Sequence, residues 1–277
     1  MIRRVLTFCF AAAMAASFAG CAAPAHNGIT QVATIDALMA GVYDGHMPLE
    51  TLRKYGDLGV GTFEGLDGEM VLLDGSFYQV RADGKVYRPA LAVRTPFACV
   101  TDFAADRREE LTAPIDRTAL EAKIGALVPQ RNRFCAFVLR GEFRSVRTRS
   151  VPAQKKPYPP LVEVTKHQPV FDLANVRGTV IGFRSPEFVK GVNVPGYHMH
   201  FLADDLSGGG HLLEFEMTRG TLEADTVHEW LHVYLPQSAA FGSADLAKDR
   251  SADVHAAEND AGAKPPAAVP AQQGGYR

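Results

Sequence analysis

The chain has 277 residues, 29 Lys and Arg against 31 Asp and Glu, and a formal net charge of −2. That length supports one large or two modest domains with real cores. With no long basic or acidic run, nothing in it calls for nucleic acid or an anionic membrane surface.

Arg3 and Arg4 open the chain, and Val5 to Ala19 is an apolar run too short to span a bilayer. Ser17-Phe18-Ala19-Gly20-Cys21 closes it. Residues 1–21 therefore read as a signal peptide of the bacterial lipoprotein type, with Cys21 as the lipidated residue. Ala22 after the cysteine points to the outer membrane. Cleavage after Ala23 or Ala25, giving a soluble periplasmic protein, is the alternative. Either way the protein is expected to be exported, touching a membrane only through an N-terminal lipid, with residues 22–28 as a tether. Cys99 and Cys135 remain; that compartment permits a disulfide, and two buried thiols fit equally well.

Thr30 to Leu38 reads as a strand running into a turn, and Pro48 to Gly56 as a short helix with Leu49, Leu52 and Tyr55 at helical spacing. From Gly59 to Tyr87, short apolar runs punctuated by Asp67-Gly68, Asp74-Gly75 and Asp83-Gly84 predict a β-meander. Pro96 to Asp102 continues the β pattern. Arg117 to Leu127 is expected to be a helix with Leu120, Ile124 and Leu127 on one face. Asn132 to Gly141 predicts a strand, with Glu142 to Arg149 pairing back on it across Gly141. Pro152 to Pro160, with four prolines, is expected to separate an N-terminal β-rich lobe (29–160) from a C-terminal one (161–260). In the second lobe, strands are expected over Gln168 to Leu173, Asn175 to Phe183, Gly196 to Leu202, His211 to Arg219 and Thr221 to Leu235. A terminal helix capped by Ser243 is expected to run to Glu258. Residues 261–277 are an Ala-, Pro-, Gly- and Gln-rich tail expected to be disordered. The fold class is α+β and β-rich: two lobes of mixed or antiparallel sheet with a few helices.

His198 and His200 alternate along Gly196-Tyr197-His198-Met199-His200-Phe201-Leu202, so on a strand they share a face, with Cα atoms roughly 6.5–7 Å apart. Asp204 to Gly210 can reverse the chain and set His211 beside His200. Three neutral imidazoles with a position left open suit a catalytic Zn²⁺. Spacing alone equally allows scattered histidines on a polar strand face. His228-Glu229-Trp230-Leu231-His232 matches the H-E-x-x-H letters, which need a helix to bring both imidazoles to one ion. Here the alternation from Val227 to Leu235 predicts a strand, which would hold the two histidines about 13 Å apart.

Several blocks, in order, resemble the acetolactate decarboxylase family: Gly61-Thr62-Phe63, Leu66-Asp67-Gly68-Glu69, Asp74-Gly75-Ser76-Phe77-Tyr78-Gln79, Thr148-Arg149-Ser150-Val151-Pro152, and Gly196 to Leu202 through Gly209-Gly210-His211. They span nearly the whole mature chain, and their combination is what is specific. The resemblance implies a zinc enzyme converting 2-acetolactate to acetoin and CO₂, its site between two lobes, and a homodimer. It assigns His198, His200 and His211 to the metal and Glu69 and Arg149 to the site. A second site glutamate falls near the C-terminus, with Glu258 as the candidate. Without the resemblance, Glu69 would read as a hairpin surface charge and Arg149 as part of a solvated basic stretch.

In the implied chemistry, zinc chelated by the ketone and hydroxyl oxygens would stabilise the enediolate left by CO₂, so no organic cofactor is needed. Arg149 would hold the carboxylate, and Glu69 or Glu258 would move the proton. A zinc hydrolase and a non-catalytic exported metal-binding β-domain are the rival readings.

Overall fold

The computed structural model describes residues 27–226 and 228–259. The expected signal peptide with Cys21, most of the tether, and the tail from 261 lie outside the described residues.

Short apolar runs cut by tight turns give β1 (Gly28–Val32), β2 (Met47–Pro48), β3 (Leu58–Thr62), β4 (Glu69–Leu73), β5 (Ser76–Val80), β6 (Val86–Tyr87), β7 (Arg94–Thr95) and β8 (Ala98–Thr101). β3 to β6 form the expected meander. At its tightest turn Asp74 and Gly75 both take left-handed φ, 49° and 71°, the conformation that Asp-Gly tolerates best. The expected strand from Thr30 stops at Val32. Thr34 then caps α1 (Ile35–Met39), its hydroxyl accepting from the Ala37 N–H at 3.2 Å. α2 (Leu49–Leu52) buries the two leucines that its spacing set on one side.

The second sheet is built from β9 (Arg107–Leu111), β10 (Ile115–Asp116), β11 (Cys135–Arg149), β12 (Val170–Ser185), β13 (Gly196–Ala203) and β14 (Gly209–Asp225). α3 (Arg117–Leu127) has the expected bounds and is capped by Asp116. β15 (Trp230–Tyr234) returns to the first sheet and pairs with β1 in parallel. The sheet orders are β15-β1-β8-β3-β4-β5-β6 and β10-β14-β11-β12-β13, with β9 on β14.

The hairpin expected at Gly141 does not form; β11 runs straight through it. Gly141 lies opposite Gly178 on one side and Gly220 on the other. A Cβ at Gly141 would come within 2.2 Å of Met217 Cε and 2.3 Å of the Arg219 carbonyl. These glycines make room for Met217 and neighbouring strands, so they mark close approach within long strands. The breaks expected at Ala174 and Gly220 do not occur, since β12 and β14 are continuous, and at Gly220 the reason is the same close approach. Asn175 takes a left-handed φ of 53° within β12 without shifting its register against β11.

Sheet membership does not follow the expected division at residue 160. β11 lies before that point and belongs to the second sheet, while β15 lies after it and belongs to the first. The proline-rich loop and α4 (Leu161–Thr165) instead connect neighbours β11 and β12. Of the helix expected from Ser243 to Glu258 only α6 (Ser251–Asn259) forms; a separate short helix, α5 (Ala239–Ser243), precedes it. Ser238, not Ser243, caps α5.

The two sheets pack face to face. On β11, Ala136 and Val138 face Val60, Val71 and Cys99 of the first sheet. Phe137 and Leu139 point the other way, into a core closed by Leu120 and Ile124 of α3. Burial on both faces explains the unbroken apolar run from Cys135 to Leu139. Cys99 and Cys135 are separate free thiols; burial pushes each up to about 12, which leaves them unreactive. A third core joins α1, α4 and α6 through Ile35, Leu38, Leu161, Val164, Val254 and Ala257. Among the described residues no helix is long and apolar enough to cross a membrane.

Candidate active site

β13 and β14 form the hairpin that carries the histidines. His200 stands directly opposite His211 in the antiparallel register, and His198 lies two residues along the same face. Just past the turn, Gly209 and Gly210 pair with Leu202 and Phe201; Gly210 has φ 124°, and a Cβ there would sit 2.4 Å from the Arg149 carbonyl. The three rings have centroid separations of 5.0, 5.2 and 5.4 Å. One ligand atom from each lies within 4.8 Å of the others.

The orientation of the rings is set from outside the trio. His200 Nδ1–H donates to the Met70 carbonyl at 2.7 Å, which leaves Nε2 as a buried lone pair without a hydrogen-bond partner among the described residues. This is the tautomer-fixing contact that metal-ligating histidines use. Burial holds all three imidazoles neutral: His198 is lowered to about 3, and His200 and His211 lie well below their ordinary value, with Arg149 reinforcing the effect. Neutral, converging nitrogens with unpartnered atoms fit a divalent metal ion.

The first sheet and the C-terminal helix complete the site. Glu69 starts β4 beside Thr62 of β3 and reaches within 3.6 Å of His200 Nε2. Arg149 ends β11 opposite His211. Its Nη1 donates to Glu69 Oε1 at 2.9 Å and its Nη2 to the Ala257 carbonyl at 2.8 Å, while Nε is buried and unpartnered among the described residues. Glu258 comes from α6; its Oε2 lies 3.7 Å from His198 Nε2 and 3.8 Å from His211 Nε2. With the histidines neutral, these close approaches are not ion pairs. The Glu258 carbonyl also faces His211 Nε2 at 3.1 Å.

Burial pushes both carboxyls up to about 7; Arg149 pulls each back down, and Glu258 further raises Glu69. Desolvation therefore outweighs even the direct Glu69–Arg149 pair. The neighbourhood of Arg149 is fully enclosed, not the solvated basic stretch that sequence alone suggested. These groups line a chamber of about 30 Å³. An outer cavity of about 380 Å³ adjoins it, and Ile35 and Glu258 line both.

All six residues singled out in the sequence meet in this one place. The H-E-x-x-H letters do not join them. His228 precedes β15 and lies 3.6 Å from Asp225, whereas His232 is exposed on the strand itself. The carbonyls of Met70 and Ala257, which hold His200 and Arg149, carry no sequence signal because any residue supplies a carbonyl. Arg117 was missed too. It opens α3, donates to the Leu213 carbonyl just beyond His211 at 3.1 Å, and places a charge near His198 and Glu258.

A strand-rich α+β enzyme, with its polar chamber enclosed between two sheets and a terminal helix, is the class that fold and site define. The chain belongs to the alpha-acetolactate decarboxylase family, whose sequence profile matches residues 29–248. It is 44% identical over 234 residues to the alpha-acetolactate decarboxylase of Methanosarcina mazei, covering 84% of this chain and 81% of that one. The Methylococcus capsulatus enzyme is 43% identical over 231 residues, with 83% and 88% covered. Among solved structures, Bacillus subtilis alpha-acetolactate decarboxylase superposes with a TM-score of 0.80 at 38% identity, over 84% of this chain and 99% of that one. A Staphylococcus aureus protein described as similar to alpha-acetolactate decarboxylase gives 0.79 at 30%, over 83% and 99%. The profile match ends before α6, so the position of Glu258 rests on the geometry described above.

Proposed function

We propose that this protein decarboxylates 2-acetolactate to acetoin and CO₂, using a zinc ion held by His198, His200 and His211. The observation that carries this reading is the convergence of three neutral imidazoles with Arg149 and two buried carboxyls. Zinc bound there would supply Lewis acidity, drawing electron density toward the substrate's ketone.

The remaining work falls to the chain's own side chains. Arg149 is anchored on Glu69 and Ala257 with Nε spare, so a substrate carboxylate can meet a fixed cation in a chamber buried from bulk solvent. Losing CO₂ leaves an electron pair on C2 that spreads into the adjacent ketone, and one proton must then reach C2. With carboxyls near 7, Glu69 and Glu258 each hold a proton part of the time at neutral pH, the range in which general acids work best. They approach different histidines, so they would deliver that proton from different sides.

The test is acetoin formed from 2-acetolactate with and without a chelator, followed by Zn²⁺ add-back, beside an ester and peptide panel. Chelator-sensitive acetoin restored by zinc supports the reading, and hydrolysis without acetoin would overturn it. We further propose a homodimer, implied by the family resemblance, and a periplasmic location with Cys21 lipidated, supported by the leader sequence.

A further inference from the structure

The chamber has two unlike halves. Besides His198, His211, Arg149, the two carboxyls and Thr62, its lining is an apolar wall: Ile35 and Leu38 of α1, Leu66, Phe97, Val151 and Leu161 of α4. All six are buried, the most exposed at 7%. We infer that this wall sets substrate size, receiving the two alkyl groups of a 2-hydroxy-3-oxo acid and limiting them to the shortest. The inference rests on the proposed decarboxylase reading.

The division of the chamber matches the division of the substrate. Carboxylate, hydroxyl and ketone need the polar half, which leaves two alkyl groups to face the other. The free space of about 30 Å³ holds on the order of two water molecules. That leaves no spare room beside the methyl acid itself, so each added methylene must displace the wall further. The wall resists, because Ile35, Leu38, Leu66, Phe97, Val151 and Leu161 all belong to one packed core with Val164, Val254 and Ala257. An alkyl chain directed toward the outer cavity would pass Ile35 and Glu258 and meet a mixed lining, Asp36, Arg117 and Lys190 beside Val194, Tyr197 and Val254. Length is thus penalised on the side of the apolar wall.

The experiment measures kcat/KM of the holoenzyme for 2-hydroxy-3-oxobutanoates bearing 2-methyl, 2-ethyl and 2-propyl groups. Wild-type protein should lose at least ~10-fold per added methylene, the usual discrimination of a tight apolar pocket. Leu161→Ala and Leu38→Ala should raise the ethyl-to-methyl ratio at least ~10-fold, and Val151→Ile should lower it. Opposite shifts from truncation and enlargement of one wall cannot arise from general loosening. Zinc content and thermal unfolding report whether each variant folds; should Leu161→Ala fail, Leu161→Val and Val151→Ile carry the test. Unchanged ratios in folded, active variants would overturn the inference while the decarboxylase reading stands. A wild-type protein inactive on the methyl acid would overturn both.

Discussion

Arg149 and His211 face one another across adjacent strands, β11 and β14, and Gly210 packs against the Arg149 carbonyl. The guanidinium and an imidazole of the candidate metal site are therefore fixed to one rigid ladder. Changing the head of residue 149 should leave that ladder intact. Arg149→Lys keeps the charge but loses the planar fork that reaches Glu69 and Ala257 together. We expect turnover to fall at least ~10-fold with bound metal retained. Steady-state kinetics with metal analysis of the same sample checks this; wild-type turnover would remove Arg149 from the reaction.

His198→Ala, His200→Ala and His211→Ala should each lose most of the bound zinc, because two nitrogens do not hold the ion as three do. His228→Ala should retain it, since His228 lies beside Asp225 and does not line the chamber. Elemental analysis of purified protein decides between the two outcomes.

Glu69 has a stability signature in the metal-free protein. Its carboxyl is raised from 4.5 to about 7 on folding, so the native state keeps a proton that the unfolded chain releases. Its contribution is fully present below about 4.5 and is lost as pH rises to about 7. Glu69→Gln removes the titration. The unfolding midpoint of wild type, relative to this variant, should fall across that window. A flat difference would mean that Arg149 fully compensates the burial. The three histidines shift the other way, which is why the comparison must be with the variant, not with wild type at a single pH.

Gly141→Ala should destabilise the protein by ~2–3 kcal/mol, because the new Cβ meets the Arg219 carbonyl as well as Met217. Gly242→Ala, in α5, meets nothing within 4 Å and should be neutral or slightly stabilising. Denaturant midpoints of the two variants test the reading of Gly141 as a packing residue.

Cys21→Ser should move the protein from the membrane fraction to the soluble exported fraction with acetoin formation intact. Wild type recovered wholly soluble, with its N-terminus at Pro24 or His26, would show ordinary cleavage instead.

The local rules read the meander, α3 and the histidine hairpin directly, because Asp-Gly turns and residue spacing act over a few positions. They misread Gly141 and Gly220, where glycine normally signals a turn. At those points strands from distant parts of the sequence press together, and no local window contains that pressure. The same limit hid the enclosure of Glu69 and Arg149. Each sits among charged or turn-forming neighbours in sequence, and only the packing of two sheets removes them from water. Their roles came from the family resemblance, as did that of Glu258, which lies far from the other five along the chain.

α6 gives the chamber more than a carboxylate: the Ala257 carbonyl holds Arg149 and the Glu258 carbonyl faces His211. The chamber is thus closed by a segment made after every strand of both sheets. A nascent chain can complete both sheets, and assemble all three imidazoles, with the chamber still open on one side. No product of premature termination before Ser251 can possess the whole site, however well its sheets fold.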